Sequence, residues 1–217
     1  MRLLAALPLV LIAMPATAQT GPVAAGGFPT NTLTSREHGG PQGSAQQASI
    51  AALQQTLTEL QQLQLQTKQA HWNVSGTLYY PLHELLQDHY EGVAKYADEV
   101  AERILAIGAS SDGRANTIVR TSRLPEYPGG FVDDAQVIAG FARNYRIVSD
   151  EIGQGIKATE DGDPTTSNLL QEVQHAIDKY QWQMRAMMQP TPTDPNSGAD
   201  LNGGRPVAMP AVGRTGN

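Results

Sequence analysis

The run PLHELLQDHYEGVAKYADEVAERILAI, residues 81–107, decides the fold class. Leu82, Leu85, Leu86, His89, Val93, Tyr96, Val100 and Ile104 recur at spacings of three and four, the period of a helix with one buried stripe. Pro81 suits the first turn, where a missing N–H leaves no hydrogen bond unmade, and the helix ends before Gly108. With Leu82 at zero on a wheel of about 100° per residue, the stripe averages near 10°. His83 then falls at about 100°, Asp98 at about 160° and Glu102 at about 200°. The two carboxylates share a face that looks away from the core of their own chain.

On the N-terminal side, Leu53, Leu57, Leu60, Gln64, Thr67 and His71 mark an earlier helix from Ser44 or Ser49 to Trp72, broken by Asn73–Gly76. Its many glutamines admit a prion-like tract, but leucines at helical spacing favour an amphipathic helix. On the C-terminal side, a connector containing Ser-Ser-Asp-Gly and residues 125–130 is long enough to join distant helices or to hold a short one. A third helix runs from about Asp133 to Ala158 on Val137, Phe141, Tyr145, Val148, Ile152 and Ile156. After the turn Glu160-Asp161-Gly162-Asp163-Pro164 comes a fourth, with Leu169, Val173, Ile177, Tyr180, Met184 and Met187 inward. No stretch has strand periodicity. The fold class is all-α: four helices with a long crossover between the second and third, an arrangement that ferritin-like bundles share with other four-helix folds.

The chain's 217 residues leave room for one such domain and two tails. Residues 1–18 read as a secretory signal peptide: Arg2, an apolar run from Leu3 to Met14, and Ala16-Thr17-Ala18 as cleavage site. Pro8 and Pro15 interrupt that run, which is also shorter than the roughly 20 residues a membrane span needs. The expected location is therefore outside the cytoplasm, in a bacterial periplasm, with no membrane span once the signal is removed. Residues 19–43 and 189–217 lack apolar periodicity and are expected to be a disordered arm and tail around a domain at 44–188. With 15 Lys+Arg against 21 Asp+Glu, a net charge of −6 and no lysine in the exported arm, DNA binding is disfavoured. The absence of cysteine removes thiolate metal sites and cysteine nucleophiles.

Few residues remain for chemistry. Asp98 and Glu102 share an off-core face that spacing alone reads as a solvated acidic face; His71 stands in line with core leucines, as a buried histidine would. The one Glu-x-x-His, Glu172 and His175, points off the core on its helix and is rejected as a bundle-centre ligand pair. Asn73-Val74-Ser75 matches a glycosylation acceptor by chance.

Taken together, His71-Trp72-Asn73-Val74, Leu82-His83-Glu84-Leu85 and Asp98-Glu99-Val100-Ala101-Glu102-Arg103-Ile104 followed by Gly108 closely resemble the Dps family, the mini-ferritins. Leu124-Pro125-Glu126 and Asp163-Pro164 with Leu169-Leu170-Gln171-Glu172 are similar to it too, so the resemblance spans roughly Ser49 to Met188. It implies a dodecameric shell that oxidises Fe(II) with peroxide or oxygen and stores Fe(III), protecting against oxidative damage. It implies a ferroxidase site between two-fold related subunits, with His71 and His83 from one and Asp98 and Glu102 from the other. Trp72 resembles the family tryptophan near the iron, with core packing as its other reading. Many members carry a carboxylate where this chain has Gln87, and an amide is the weaker iron donor, so the second iron is expected to bind loosely or through water. Glu160, Asp161 and Asp163 resemble the acidic lining of the family's three-fold iron pores, or form an ordinary solvated turn. The alternative function is a weakly catalytic or non-catalytic shell with a structural, interaction or DNA-binding role.

Overall fold

The computed structural model describes residues 40–188; the proposed signal peptide, most of the arm and the tail lie outside them. Five helices follow in order: α1 Gly43–Asn73, α2 Tyr79–Ala106, α3 Ala115–Thr121, α4 Asp134–Thr159 and α5 Pro164–Met188. The long connector thus does hold a short helix, α3. Two two-residue strands, β1 Val74–Ser75 and β2 Val132–Asp133, pair in parallel, Val74 opposite Val132 and Ser75 opposite Asp133. Among the described residues no helix is long and apolar enough to cross a membrane.

α1 packs on α2, α4 packs on α5, and α1 lies against α4, so the crossover joins two helical hairpins. Leu53, Leu60, Leu82, Leu86, Phe141, Tyr145, Ile152, Val173 and Ile177 are all fully buried between them. Each such apolar side chain contributes about 1.5–3 kcal/mol relative to an exposed one. The stripes fall as their periodicity requires, with shifts at the ends. Leu170 rather than Leu169 is fully buried, and Met187, expected inward, is exposed. α2 starts at Tyr79, so Pro81 sits third in the helix, still within the turn whose N–H groups have no intrahelical acceptor.

The turn from α1 to α2 is tied to the start of α4. The Leu78 N–H donates to Asp134 Oδ2 at 2.8 Å. Gly76 has φ +119°, and a Cβ there would lie 2.5 Å from that same carboxylate oxygen. Glycine is needed at this position for both reasons.

The glutamines of α1 hold the crossover. Gln54 exchanges two bonds of 2.9 Å with the Asp112 backbone, and Gln66 donates to the Pro125 carbonyl at 2.7 Å while accepting from Asn144 at 2.8 Å. Glu59 is fully buried and accepts from Gln55 (2.6 Å), Ser122 Oγ (2.8 Å) and the Arg123 N–H (2.8 Å). A buried carboxylate with three donors fixes the end of α3 against α1. Glu59→Ala would strand those donors and is expected to cost about 1–3 kcal/mol, read as a lower urea midpoint with unchanged helix content. An unchanged midpoint would show that Glu59 does not anchor the crossover.

Candidate metal centre

Where α1 ends and α2 begins, His71 and His83 form a reciprocal clasp. His71 Nδ1 lies 2.9 Å from the His83 carbonyl oxygen, and His83 Nδ1 lies 2.8 Å from that of His71. The rings stack with centroids 3.7 Å apart and planes 21° from parallel. A carbonyl only accepts, so each Nδ1 carries the hydrogen and each Nε2 keeps its lone pair. Burial, and then the charges of His83 and Lys68, hold the His71 pKa below its ordinary value, against the opposing hydrogen bond to the His83 carbonyl. A neutral imidazole with Nδ1 bonded to a carbonyl is the form a metal takes as a ligand.

The carboxylates lie elsewhere. Asp98 and Glu102 are exposed on the outer face of α2, without a hydrogen bond or ion pair to another described residue. Fifteen residues separate His83 from Asp98, about 22 Å along the helix axis. Among the described residues, accordingly, no three His, Asp or Glu side chains gather to hold a metal ion. A single protomer brings the two histidines together and the two carboxylates together, but not one pair to the other.

One residue near the clasp escaped the sequence reading. Lys68, one turn before His71, donates from Nζ to Gln87 Oε1, and Gln87 Nε2 donates to Glu91 Oε1 at 2.6 Å. The ammonium also lies 4.9 Å from the centre of the Tyr90 ring. Gln87 is therefore held by a cation on one side and a carboxylate on the other. The signal for Lys68 was its position at i−3 from His71, on the same helical face. Trp72 is 63% exposed, so it does not pack in the core of its own chain. It shares a face of α1 with Leu65, which is 60% exposed and two turns earlier, an apolar stripe of the kind that partners cover.

The acidic turn divides. Glu160 and Asp161 are exposed, whereas Asp163 is buried. Asp163 caps α5 by accepting from the Thr166 N–H at 3.2 Å, and it also accepts from Thr166 Oγ1, Ser49 Oγ and Arg103 Nη2. With its oxygens so occupied, Asp163 faces no passing ion, and only Glu160 and Asp161 remain free to line a pore. Arg103, in the Asp-x-x-x-Glu-Arg element, serves this buried pair rather than a metal. Asn73, of the glycosylation match, donates to the Gln69 carbonyl at 2.8 Å.

The ferritin-like domain family matches residues 50–193. DNA protection during starvation protein 2 of Deinococcus radiodurans is 69% identical over 161 residues, which is 74% of this chain and 67% of that protein. The crystal structure of Dps92 from Deinococcus radiodurans superposes with a TM-score of 0.69 at 67% identity, over 76% of this chain and 100% of that one. The Dps of Microbacterium arborescens in its high iron form superposes with a TM-score of 0.64 at 28% identity, over 67% and 95%.

Burial alone would raise the Asp163 pKa, but the bonds from Thr166, Ser49 and Arg103 outweigh it and hold the carboxyl below its ordinary value. A depressed carboxylate stabilises the fold above its unfolded-state pKa and loses that contribution as pH falls through the folded one. Asp163→Asn is therefore expected to be less stable than the parent at pH 7, by about 1–3 kcal/mol. The gap should narrow on acidification below the ordinary carboxylate range, in thermal melts across pH. A gap independent of pH would refute the ionic role.

Proposed function

The chain belongs to the Dps family of ferritin-like proteins, and from that premise we propose that it binds and oxidises Fe(II) and stores Fe(III) in a hollow homo-oligomeric shell. The observation that carries this is the histidine clasp, which leaves two imidazole Nε2 lone pairs without a hydrogen bond, with Glu84 Oε1 4.0 Å from His83 Nε2 and, among the described residues, no group of three His, Asp or Glu side chains around them. An antiparallel two-fold pair of α2 helices centred near Glu91 and Gly92 would set His83 level with the partner's Asp98 and the partner's Glu102. Imidazole and carboxylate donors with open positions suit Fe(II), which must also admit oxidant. Two Fe(II) and one hydrogen peroxide then give two Fe(III) and two hydroxides without releasing a radical. Oxygen is the other oxidant in this reading. The stripe of Leu65 and Trp72 is the contact such a partner would cover, and Glu160 with Asp161 would draw cations toward a pore. The twelve-subunit shell, its mineral and its place in the periplasm, by way of a signal at 1–18, belong to the same proposal. The net charge of −6 speaks against DNA as a ligand.

A shared site makes a sharp demand. Asp98→Ala with Glu102→Ala, and separately His71→Ala with His83→Ala, should each slow stopped-flow iron oxidation by peroxide. The loss should exceed the roughly 10–100-fold that removal of an outer-shell partner costs. Co-assembly of the two inactive chains should restore rapid oxidation, since each mixed dimer regains one intact site. Mixed shells as inactive as their parents would rule out the intersubunit site.

The Lys68–Gln87 contact bears on how many metals each site holds. An ammonium fixed beside His71 repels a second cation, and an amide replaces the carboxylate that would attract it. Gln87→Asp alone should pair with Lys68 and add little iron. Gln87→Asp combined with Lys68→Met should raise the stoichiometry in anaerobic Fe(II) titration toward two per site. Equal stoichiometry in parent and double variant would count against a second site closed by Lys68.

A further inference from the structure

Below the clasp lies a buried polar cluster that this iron chemistry leaves unused. His89, 1% exposed on α2, has Nε2 2.8 Å from Gln183 Oε1 and Nδ1 2.8 Å from the Tyr145 hydroxyl. An amide oxygen only accepts, so Nε2 carries the hydrogen. Burial lowers the His89 pKa to about 4, which leaves the ring neutral at pH 7 with a lone pair on Nδ1. The Tyr145 hydroxyl therefore donates to Nδ1. The Thr67 hydroxyl also reaches this phenol, but Thr67 donates its own proton to the Leu63 carbonyl at 2.7 Å, and the imidazole nitrogen is the stronger base.

The surroundings hold this pair rigidly and dry. Tyr145 is fully buried, and burial pushes its pKa above the ordinary phenol value, so it is protonated. The Tyr180 ring lies against His89 with centroids 4.3 Å apart. Gly92 permits this approach, because a Cβ there would clash with the Tyr180 hydroxyl. His89 follows His83 by six residues and Thr67 precedes His71 by four, rises of about 9 Å and 6 Å along the two helices. The phenol, bonded to His89 and reached by Thr67, thus lies one to two helical turns along from the proposed metal ligands and stacks on neither of them.

We propose that Tyr145 is the second electron donor of the iron site, giving up one electron while its phenolic proton crosses to His89 Nδ1. The inference rests on the iron-oxidising reading above. Reduction of hydrogen peroxide to two hydroxides takes two electrons. Where Lys68 and Gln87 leave one firmly held Fe(II), that ion supplies one electron, and alone it would split peroxide into hydroxide and a hydroxyl radical. Tyr145 supplies the other: its O–H bond breaks, the electron goes to the peroxide-derived oxidant and the proton to His89. A neutral phenoxyl radical then stands beside an imidazolium whose Nε2–H is held by Gln183. A later Fe(II) returns the electron and His89 returns the proton. The sum is two Fe(II) and one peroxide to two Fe(III) and two hydroxides.

The experiment is rapid-freeze EPR of assembled protein carrying one Fe(II) per site, mixed with peroxide, alongside iron oxidation followed by absorbance. The parent should show a tyrosyl radical, absent in Tyr145→Phe and retained in Tyr180→Phe. In His89→Leu the signal at high field should shift in g-value, as for a phenoxyl that has lost its hydrogen bond. Tyr145→Phe removes one oxygen atom, and its assembly is checked by sedimentation; in it, hydroxyl adducts of a spin trap should rise severalfold. A parent that oxidises iron without a tyrosyl radical, or with a radical that survives Tyr145→Phe, would overturn this inference alone. A parent that does not oxidise iron would overturn the functional reading and this inference with it.

Discussion

The reciprocal bonds between His71 and His83 are the constraint on which the rest of the molecule depends. The last carbonyls of a helix have no intrahelical donor, and the His71 carbonyl, near the end of α1, receives one from His83. The His83 carbonyl, inside α2, accepts from His71 on a lone pair the helix leaves open. Two helix ends are thus joined through the Nδ1 atoms of two neutral rings. The same bonds that close the hairpin assign the tautomers, so the fold itself delivers two Nε2 lone pairs side by side. With the hairpin closed, Gly76 can turn against Asp134, and β1 can meet β2. The clasp thereby sets where α4 begins as well.

Most of this architecture was legible in the residues. The period of Leu82, Leu86, Val93, Val100 and Ile104 on α2, and of Val137, Phe141, Tyr145, Val148 and Ile152 on α4, reports burial against neighbouring helices, and these residues are buried. The helical wheel also put Asp98 and Glu102 off the core, where both are exposed. What periodicity does not report is the partner across a gap. The glutamines of α1 looked like composition; in the fold, Gln54 and Gln66 grip a crossover some sixty residues away in sequence. A side chain that can donate and accept at once is suited to a connector whose backbone has no helical partners.

Long-range pairing likewise hid the division of the acidic turn. Glu160, Asp161 and Asp163 are alike in composition, but only Asp163 meets Arg103 from α2 and Ser49 from α1 while capping α5. Neither its capping of α5 nor its ion pair with Arg103, formed across 60 residues, was read from the sequence. Lys68 escaped for the same reason. Its proximity to Gln87 exists only because the hairpin folds α1 back along α2. His89 was correctly placed in the core stripe, yet nothing in its spacing revealed acceptors and donors waiting on α4 and α5.

These separately hidden contacts bear on one another through charge. A second metal ion needs negative charge where this chain supplies a neutral amide, and Lys68 adds a positive charge beside His71. In the proposed reading such a site handles one Fe(II) at a time, and a one-electron ion facing a two-electron oxidant leaves an odd electron to be supplied. The buried phenol of Tyr145 is positioned to supply it: protonated, dry, donating to a neutral imidazole, and screened from solvent by the same helices that carry the histidines. In that reading position 87 and the cluster around His89 act as one device, the first limiting the metal and the second completing the electron count. Each would be poorly chosen without the other: two firmly held irons need no phenol, and one iron without a donor generates the radical that a protective shell exists to prevent.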